Sequence, residues 1–307
     1  MPGASIPTSK DFSIMPLEST AFAPRRPASR RNGTLPAPRR DVGGRPGLDQ
    51  IRRKPPGLAL LALAAALCAL PTVAASADAA ADRITAAVAD PARPSTDTAR
   101  DANRKPAAVL AFAGIKRGDK VADYAAGAGY FTRLFADIVG PEGHVYASVP
   151  SPLFEFPNIV TGIADLQKFA VGHANVSVVF AAPLPAAAYP EKLDLFWISQ
   201  NYHDLKDPFM GPVDTAAFNR AVYAALKPGG LYLVLDHVAA PGSPPDVTDT
   251  LHRIEPAVVR REVEAAGFKF VGESKVLANP DDPHTAGVFD ATIQGRTDQF
   301  VYKFRKP

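Results

Sequence analysis

The sequence predicts an α/β fold, a doubly wound and mostly parallel sheet with helices on both faces. Three observations carry this reading: short apolar runs alternate with helically spaced ones, a glycine turn follows the first run, and two β-like runs close the chain. The 307 residues are 47% hydrophobic and 21% charged, which leaves room for a sizeable core and excludes collagen-like, coiled-coil and wholly disordered classes.

The N-terminal third is organised differently. Residues 1–50 are rich in Arg, Pro, Gly and Ser with no sustained periodicity, so they cannot bury enough surface to offset the entropy of ordering. A disordered extension is expected there. Arg52, Arg53 and Lys54 then precede an apolar run from Leu58 to Leu70 and the small-residue stretch TVAASADA. That order of basic, apolar and cleavable segments marks residues 51–77 as a secretory signal peptide, cut after Ala77. The run has 13 residues, short of the roughly 20 that cross a bilayer as a helix, so no stable anchor is expected after cleavage. Fifty residues ahead of such a signal suggest a start codon assigned too early. The product is expected to be exported, to the periplasm, by the general secretory route. The single cysteine, Cys68, lies inside the apolar run, so the processed chain would have no disulfide and no thiol chemistry.

Charge separates along the same boundary. Residues 1–77 hold 11 Lys/Arg against 4 Asp/Glu, whereas the remaining 230 residues hold 23 against 27. The body is net negative, which removes the electrostatic basis for a nucleic-acid partner.

Residues 78–105 form an Ala-rich, charged, helical lead-in to a single domain over 106–307. Within that domain DKVADYA, GHVYASV, NVSVVFA, LDLFWISQ and GLYLVLDHV read as buried strands, and YFTRLFADIV, IADLQKFAV and TAAFNRAVYAAL as the helices between them. PAVVRREVEAAGF opens a further helix with Pro256 and stops it at Gly267. FKFVGESKVLA and DQFVYKF follow, separated by a loop rich in Pro, Asp and Gly, and are expected to add an antiparallel hairpin at the sheet edge. Phe196 and Trp197 sit in a strand and read as core.

The turn VADYAAGAGYFT places an acidic residue at the end of a strand, then Gly127 and Gly129, then a helix whose free N–H groups face a ligand. A third dinucleotide-type glycine is missing, its place taken by Thr132, and no Lys-Ser/Thr pair follows, so pyrophosphate binding is not favoured.

With this turn, NYHDL after the fourth strand, LKPGGLYLVLDHV through the fifth, and HRIEPAVVRREVEAAGF and TDQFVYKFRKP in the tail, the body from about Ala99 to Pro307 resembles the class I S-adenosylmethionine-dependent methyltransferases, in particular a bacterial group of predicted methyltransferases. The resemblance implies a Rossmann-like, seven-stranded methyltransferase fold with its last strand inserted antiparallel. It also implies S-adenosylmethionine as cofactor, with Asp123, Tyr124, Ala125, Gly127, Gly129 and Ser148 as the residues near it. Two departures stand out. Ala125 occupies the usual place of the first glycine, and the second strand ends in Ser148, Val149 and Pro150 where an acidic residue usually takes the ribose hydroxyls; Glu155 is the nearest substitute.

Ligands of open α/β sheets lie beyond the carboxyl ends of the strands. Asn201, Tyr202, His203 and Asp204 follow the fourth strand, Asp236 and His237 the fifth, and His252 and Arg253 precede the last helix. Tyr202, His203, Asp204 and His237 are the candidate catalytic residues, with His203 as general base because a free imidazole accepts a proton at neutral pH and Asp204 or Asp236 orienting it. His203, Asp236, His237 and His252 have the ligand types of a metal site, but no HxH, HxxxH or HExxH spacing supports one, and no metal is expected. Ahead of the sheet, Asp97, Arg100, Asp101, Arg104 and Lys105 read as a solvated helix face, or, by the resemblance, as a lid on the cofactor pocket.

The expected function is methyl transfer from S-adenosylmethionine to a small or medium-sized acceptor. Two alternatives are an exported ligand-binding protein that keeps the fold without catalysis, and a metal-dependent hydrolase on the same fold. The acceptor and the oligomeric state are not encoded in any motif.

Overall fold

The computed structural model describes residues 70–181, 189–211 and 213–307. All of them belong to the unit that spans 58–307. The expected extension 1–50 and residues 51–69 of the expected signal peptide lie outside the described residues.

Helix α1 (Leu70–Ala89) runs through the expected cleavage point and buries Ile84 and Ala87 one turn apart. Two short helices follow, α2 (Ser95–Thr98) and α3 (Asp101–Arg104). Helix α4 (Pro106–Ala113) starts on a proline, stops at left-handed Gly114 and buries Val109, Leu110 and Ala113. Among the described residues no helix is long and apolar enough to cross a membrane.

The alternation read from the sequence then appears as β1 (Lys120–Tyr124), α5 (Tyr130–Val139), β2 (His144–Pro150), α6 (Pro157–Val171), β3 (Val176–Ala181), β4 (Leu193–Ser199), α7 (Thr215–Ala225) and β5 (Leu226–His237). The chain ends with α8 (Val247–Leu251), α9 (Pro256–Ala265), β6 (Lys269–Ser274) and β7 (Gln299–Arg305). The seven strands form one sheet in the order β3-β2-β1-β4-β5-β7-β6, in which β7 alone runs opposite to the other six. This is the arrangement the resemblance implies.

One face of the sheet packs Trp197, Leu233 and Val301 against Phe131, Leu134 and Phe135 of α5, with α1 and α4 behind. The other packs Phe196, Tyr232 and Phe304 against Phe218 of α7 and Val259 and Val263 of α9. Phe196 and Trp197 are wholly buried on opposite faces, as a strand covered on both sides requires.

The expected antiparallel hairpin forms at the sheet edge, with β7 on the inside, bonded to β5 along its length, and β6 outermost. Burial explains the choice: β7 buries Phe300, Val301 and Phe304, whereas β6 exposes every second residue and is broken by a register shift at Gly272. The loop before β7 is anchored rather than loose. Arg253, wholly buried, bonds both oxygens of Asp282 at 2.9 and 3.0 Å and the carbonyls of Val238 and Ala286 at 2.9 Å.

Chain order fixes where a ligand fits. The chain leaves β1 toward β2 and β3 at one edge and returns to β4 on the other side of β1, so the connections beyond β1 and β4 diverge. That divergence opens a crevice.

Candidate active site

The crevice is a cleft of about 850 Å³, its open mouth included, lined by Asp123 and residues 125–128 on one side and Ser199, Gln200 and Asn201 on the other. The turn is left-handed at three positions, Ala125 (φ 57°), Gly127 (φ 55°) and Gly129 (φ 82°). The Gly129 N–H donates to the Ala126 carbonyl at 2.8 Å, and the Ala126 N–H to the Ser148 carbonyl at 3.1 Å, which ties the turn to β2. The two glycines serve different ends. A Cβ on Gly129 would lie 2.7 Å from Leu166 Cδ1, so its requirement is packing against α6, whereas one on Gly127 would meet nothing within 4 Å. Gly127 is left bare toward the cleft, where a ligand can approach the backbone.

Ala125 holds the glycine conformation expected at that place without being glycine. An L residue there costs about 1–2 kcal/mol, partly offset in glycine by unfolded-chain entropy. Ala125→Gly is therefore expected to stabilise the protein by about 1 kcal/mol, read as a rise of about 2–4 °C in Tm. A fall in Tm would contradict the left-handed assignment.

Asp123 is buried beside the turn and accepts a hydrogen bond from Thr132 Oγ1 at 2.6 Å. Burial pushes its carboxyl up to about 7, against the pull of Thr132 and of the Arg104 and Arg133 charges.

The charged lead-in is not a solvated face. Asp97 is buried and accepts from Arg133 Nε at 2.8 Å and from Arg100 at 2.9 Å, while Asp101 pairs with both terminal nitrogens of Arg93 and accepts from the Tyr130 hydroxyl at 2.6 Å. These bonds strap α2 and α3 onto α5. They also carry Arg100 and Arg104 into the lining of the cleft. Arg104 bonds Gln200 and lies 4.6 Å from the centre of the Tyr130 ring. Burial and the nearby Arg100 lower its guanidinium to about 10, which leaves it charged at neutral pH.

A second cavity, of about 740 Å³, adjoins the first and shares Arg100, Arg104 and Gln200 with it. His237, Val288, Phe289 and Gln299 complete much of its wall. The Nδ1 of His237 pairs with Thr297 Oγ1 at 2.7 Å, and burial lowers its pKa to about 4, so the ring is neutral.

His203 is placed differently from expectation. Its Nδ1 lies 2.8 Å from Asp236 Oδ1 and its Nε2 3.0 Å from Asp204 Oδ1, and Asp236 Oδ2 accepts its backbone N–H at 2.9 Å. Burial alone would lower the imidazole pKa, but the two carboxylates outweigh it and raise it well above the usual value. His203 is thus held between two carboxylates and lines neither cavity, a placement that does not suit the general-base role expected of it. Tyr202 is wholly buried, donates to Glu262 at 3.0 Å and accepts from Asn219 at 2.8 Å, so it belongs to the core. Tyr124 packs against Phe196 and Phe218, and the Ser148 hydroxyl pairs with Tyr189 at 2.9 Å; neither lines the cleft. Glu155 is exposed and outside the lining, whereas Asn158, the second residue of α6, is part of it.

Asp123, Ala125 and Gly127 are therefore brought together at the cleft, with Gly129 shaping the turn. Gln200, Asn158 and Gly162 were missed. Gln200 directly follows β4 and was within reach of the strand-end rule; nothing local distinguishes Asn158. Gly162 is recognisable only in three dimensions, because its Cβ would stand 2.9 Å from that of Ala128.

No protein-family model matches the chain. It is 37% identical over 65 residues to a protein-L-isoaspartate O-methyltransferase of Ignicoccus hospitalis, covering 21% of this chain and 28% of the relative. It is 32% identical over 126 residues to a ubiquinone/menaquinone biosynthesis C-methyltransferase of Pasteurella multocida, covering 40% and 41%. The matches span less than half the length of these curated relatives. Among solved structures it is similar to a SAM-dependent methyltransferase of Aquifex aeolicus, with TM-score 0.45 and 20% identity over 67% of this chain and 89% of the other. It is also similar to an Aeropyrum pernix fibrillarin with natively bound S-adenosyl-L-methionine, with TM-score 0.41 and 17% identity over 67% and 76%. Over its matched segments, then, the chain is similar to methyltransferases.

Proposed function

We propose that the protein is an S-adenosylmethionine-dependent methyltransferase for a small or medium-sized acceptor. The observation that carries this reading is the left-handed turn 125–129, whose Gly127 leaves the backbone open to the cleft. The residues there fit the cofactor. The bare turn accepts close approach of a nucleoside, Asp123 accepts from hydroxyl or ammonium donors, and the Arg100 and Arg104 charges suit a carboxylate. Asn158 offers an amide to the ribose hydroxyls in place of the missing acid. When bound, the cofactor supplies a methyl group activated on a sulfonium.

The chain's own contribution is alignment and exclusion of water. Arg104 and Gln200, shared by both cavities, set the boundary between cofactor and acceptor. His237, neutral and fixed through Nδ1 by Thr297, stands in the wall of the acceptor side. The net negative body favours an acceptor other than nucleic acid. We further propose that residues 51–77 export the chain to the periplasm; cleavage after Ala77 retains Ile84 and Ala87, which α1 buries.

The test is equilibrium titration of the full chain with S-adenosylmethionine and S-adenosylhomocysteine. Both are expected to bind at a single site. If the ionised Asp123 carboxylate is the form that accepts from the ligand, affinity rises about tenfold between pH 6 and pH 8, since deprotonation near 7 no longer opposes binding. Asp123→Asn is expected to flatten that profile. No binding of either ligand would overturn the reading, and a flat wild-type profile would remove Asp123 from it.

A further inference from the structure

The turn after β4 and the end of α8 converge on one small polar space. His203, Asp204, Asp207 and His252 each place a ligand-type atom there, all within 4.8 Å of one another. His203, Asp204 and Asp207 are 3, 7 and 1% exposed, and His252, left-handed at the end of α8, closes the group from the other side with its ring centre 5.5 Å from that of His203.

Asp207 is the anomaly. Both of its carboxylate oxygens are buried and neither takes a hydrogen bond. The Thr248 hydroxyl is the nearest donor group to it and is shared with the Pro245 carbonyl at 3.5 Å. A buried carboxylate without a donor is costly unless a cation meets it. His203 is arranged for the complementary role. Asp236 accepts from its Nδ1 and its backbone N–H, which fixes the ring and aims Nε2 at Asp204, and a carboxylate behind one ring nitrogen is the usual support of a histidine that ligates metal through the other.

We propose that His203 Nε2, His252 and the carboxylates of Asp204 and Asp207 bind one divalent transition-metal ion. The ion displaces the proton on Nε2, and its two charges are balanced by the two carboxylates. Four ligands about 2.0–2.2 Å from an ion stand roughly 3.4 Å apart in a tetrahedron, so modest side-chain rotation closes the set. Two imidazoles with two carboxylates suit zinc or its first-row neighbours better than magnesium or calcium, which prefer oxygen alone. The set differs from the one suggested by residue type, because Asp236 is engaged behind His203 and His237 faces Thr297. Asn201 Nδ2, 2.6 Å from Asp204 Oδ2, also lines the cleft, which places the ion behind its floor. The inference stands independently of the methyltransferase reading.

The experiment is calorimetric titration of the EDTA-treated full chain with ZnCl2, in parallel with thermal unfolding. One Zn2+ per chain is expected, with micromolar or tighter affinity and a Tm raised by several degrees, and no shift with millimolar Mg2+. Asp207→Asn and His252→Ala are each expected to weaken binding at least tenfold. Metal-free Asp207→Asn should unfold no earlier than metal-free wild type, because it removes the unpaired carboxylate; this shows that lost binding is not lost folding. Absence of Zn2+ binding at 100 μM, or equal binding by wild type and both variants, would overturn the proposal.

Discussion

Gly127→Val is expected to weaken S-adenosylhomocysteine binding at least 100-fold, about 2.7 kcal/mol, with the fold retained. The backbone there has φ 55° and a Cβ meets nothing within 4 Å, so the isopropyl group projects into the cleft rather than into the protein. A β-branched residue at positive φ adds about 1–2 kcal/mol of strain, which lowers Tm by a few degrees and leaves the protein folded. Gly129→Ala provides the contrast, since its Cβ meets Leu166 at 2.7 Å and its cost falls on stability. Titration and thermal unfolding of the two variants separate the roles. Undiminished binding by Gly127→Val would place the ligand elsewhere.

Arg253→Met is expected to destabilise the protein by about 3–5 kcal/mol, which lowers Tm by roughly 10 °C. Burial raises the carboxyl pKa of Asp282, but Arg253 and the backbone N–H groups of His284 and Asp298 hold it below the usual range. Without the guanidinium the charge stays buried at the root of the loop that carries Val288 and Phe289 into the second cavity, and the Val238 and Ala286 carbonyls lose their donor. The damage should concentrate on the acceptor side. Limited proteolysis should cut within 275–298 earlier than in wild type, while S-adenosylhomocysteine affinity at 20 °C changes by less than threefold. Equal loss at both cavities would mean that the loop supports the whole sheet.

The sheet was legible because its signals are local. The four central parallel strands β1, β2, β4 and β5 are apolar runs long enough to be buried on both faces, and the helix stop at Gly267 appears as a left-handed glycine just past α9. The glycine turn was equally local, down to the left-handed conformation kept by Ala125. Insertion of β7 between β5 and β6 was not visible in the tail itself, since it depends on which of two β-like runs buries more apolar surface against a strand over sixty residues away. Charged residues misled for a related reason. Asp97, Arg100 and Arg104 resemble a solvated face until Arg133, Tyr130 and Gln200 are brought beside them. For His203 the strand ends offer Asp204 or Asp236 as a partner, but not that both engage the ring at once and hold it out of the cleft. Asp207 attracts no notice as one more acid in a loop; only its burial without a donor singles it out.

The most direct measurement is a crystal of the full chain soaked with S-adenosylhomocysteine. Electron density for the nucleoside is expected against residues 125–128, with Asp123 and Arg104 in contact and Gly127 at its closest approach. A saturated crystal with clear density for those residues and none for the ligand beside them, or ligand density seated at another place on the sheet, would contradict it.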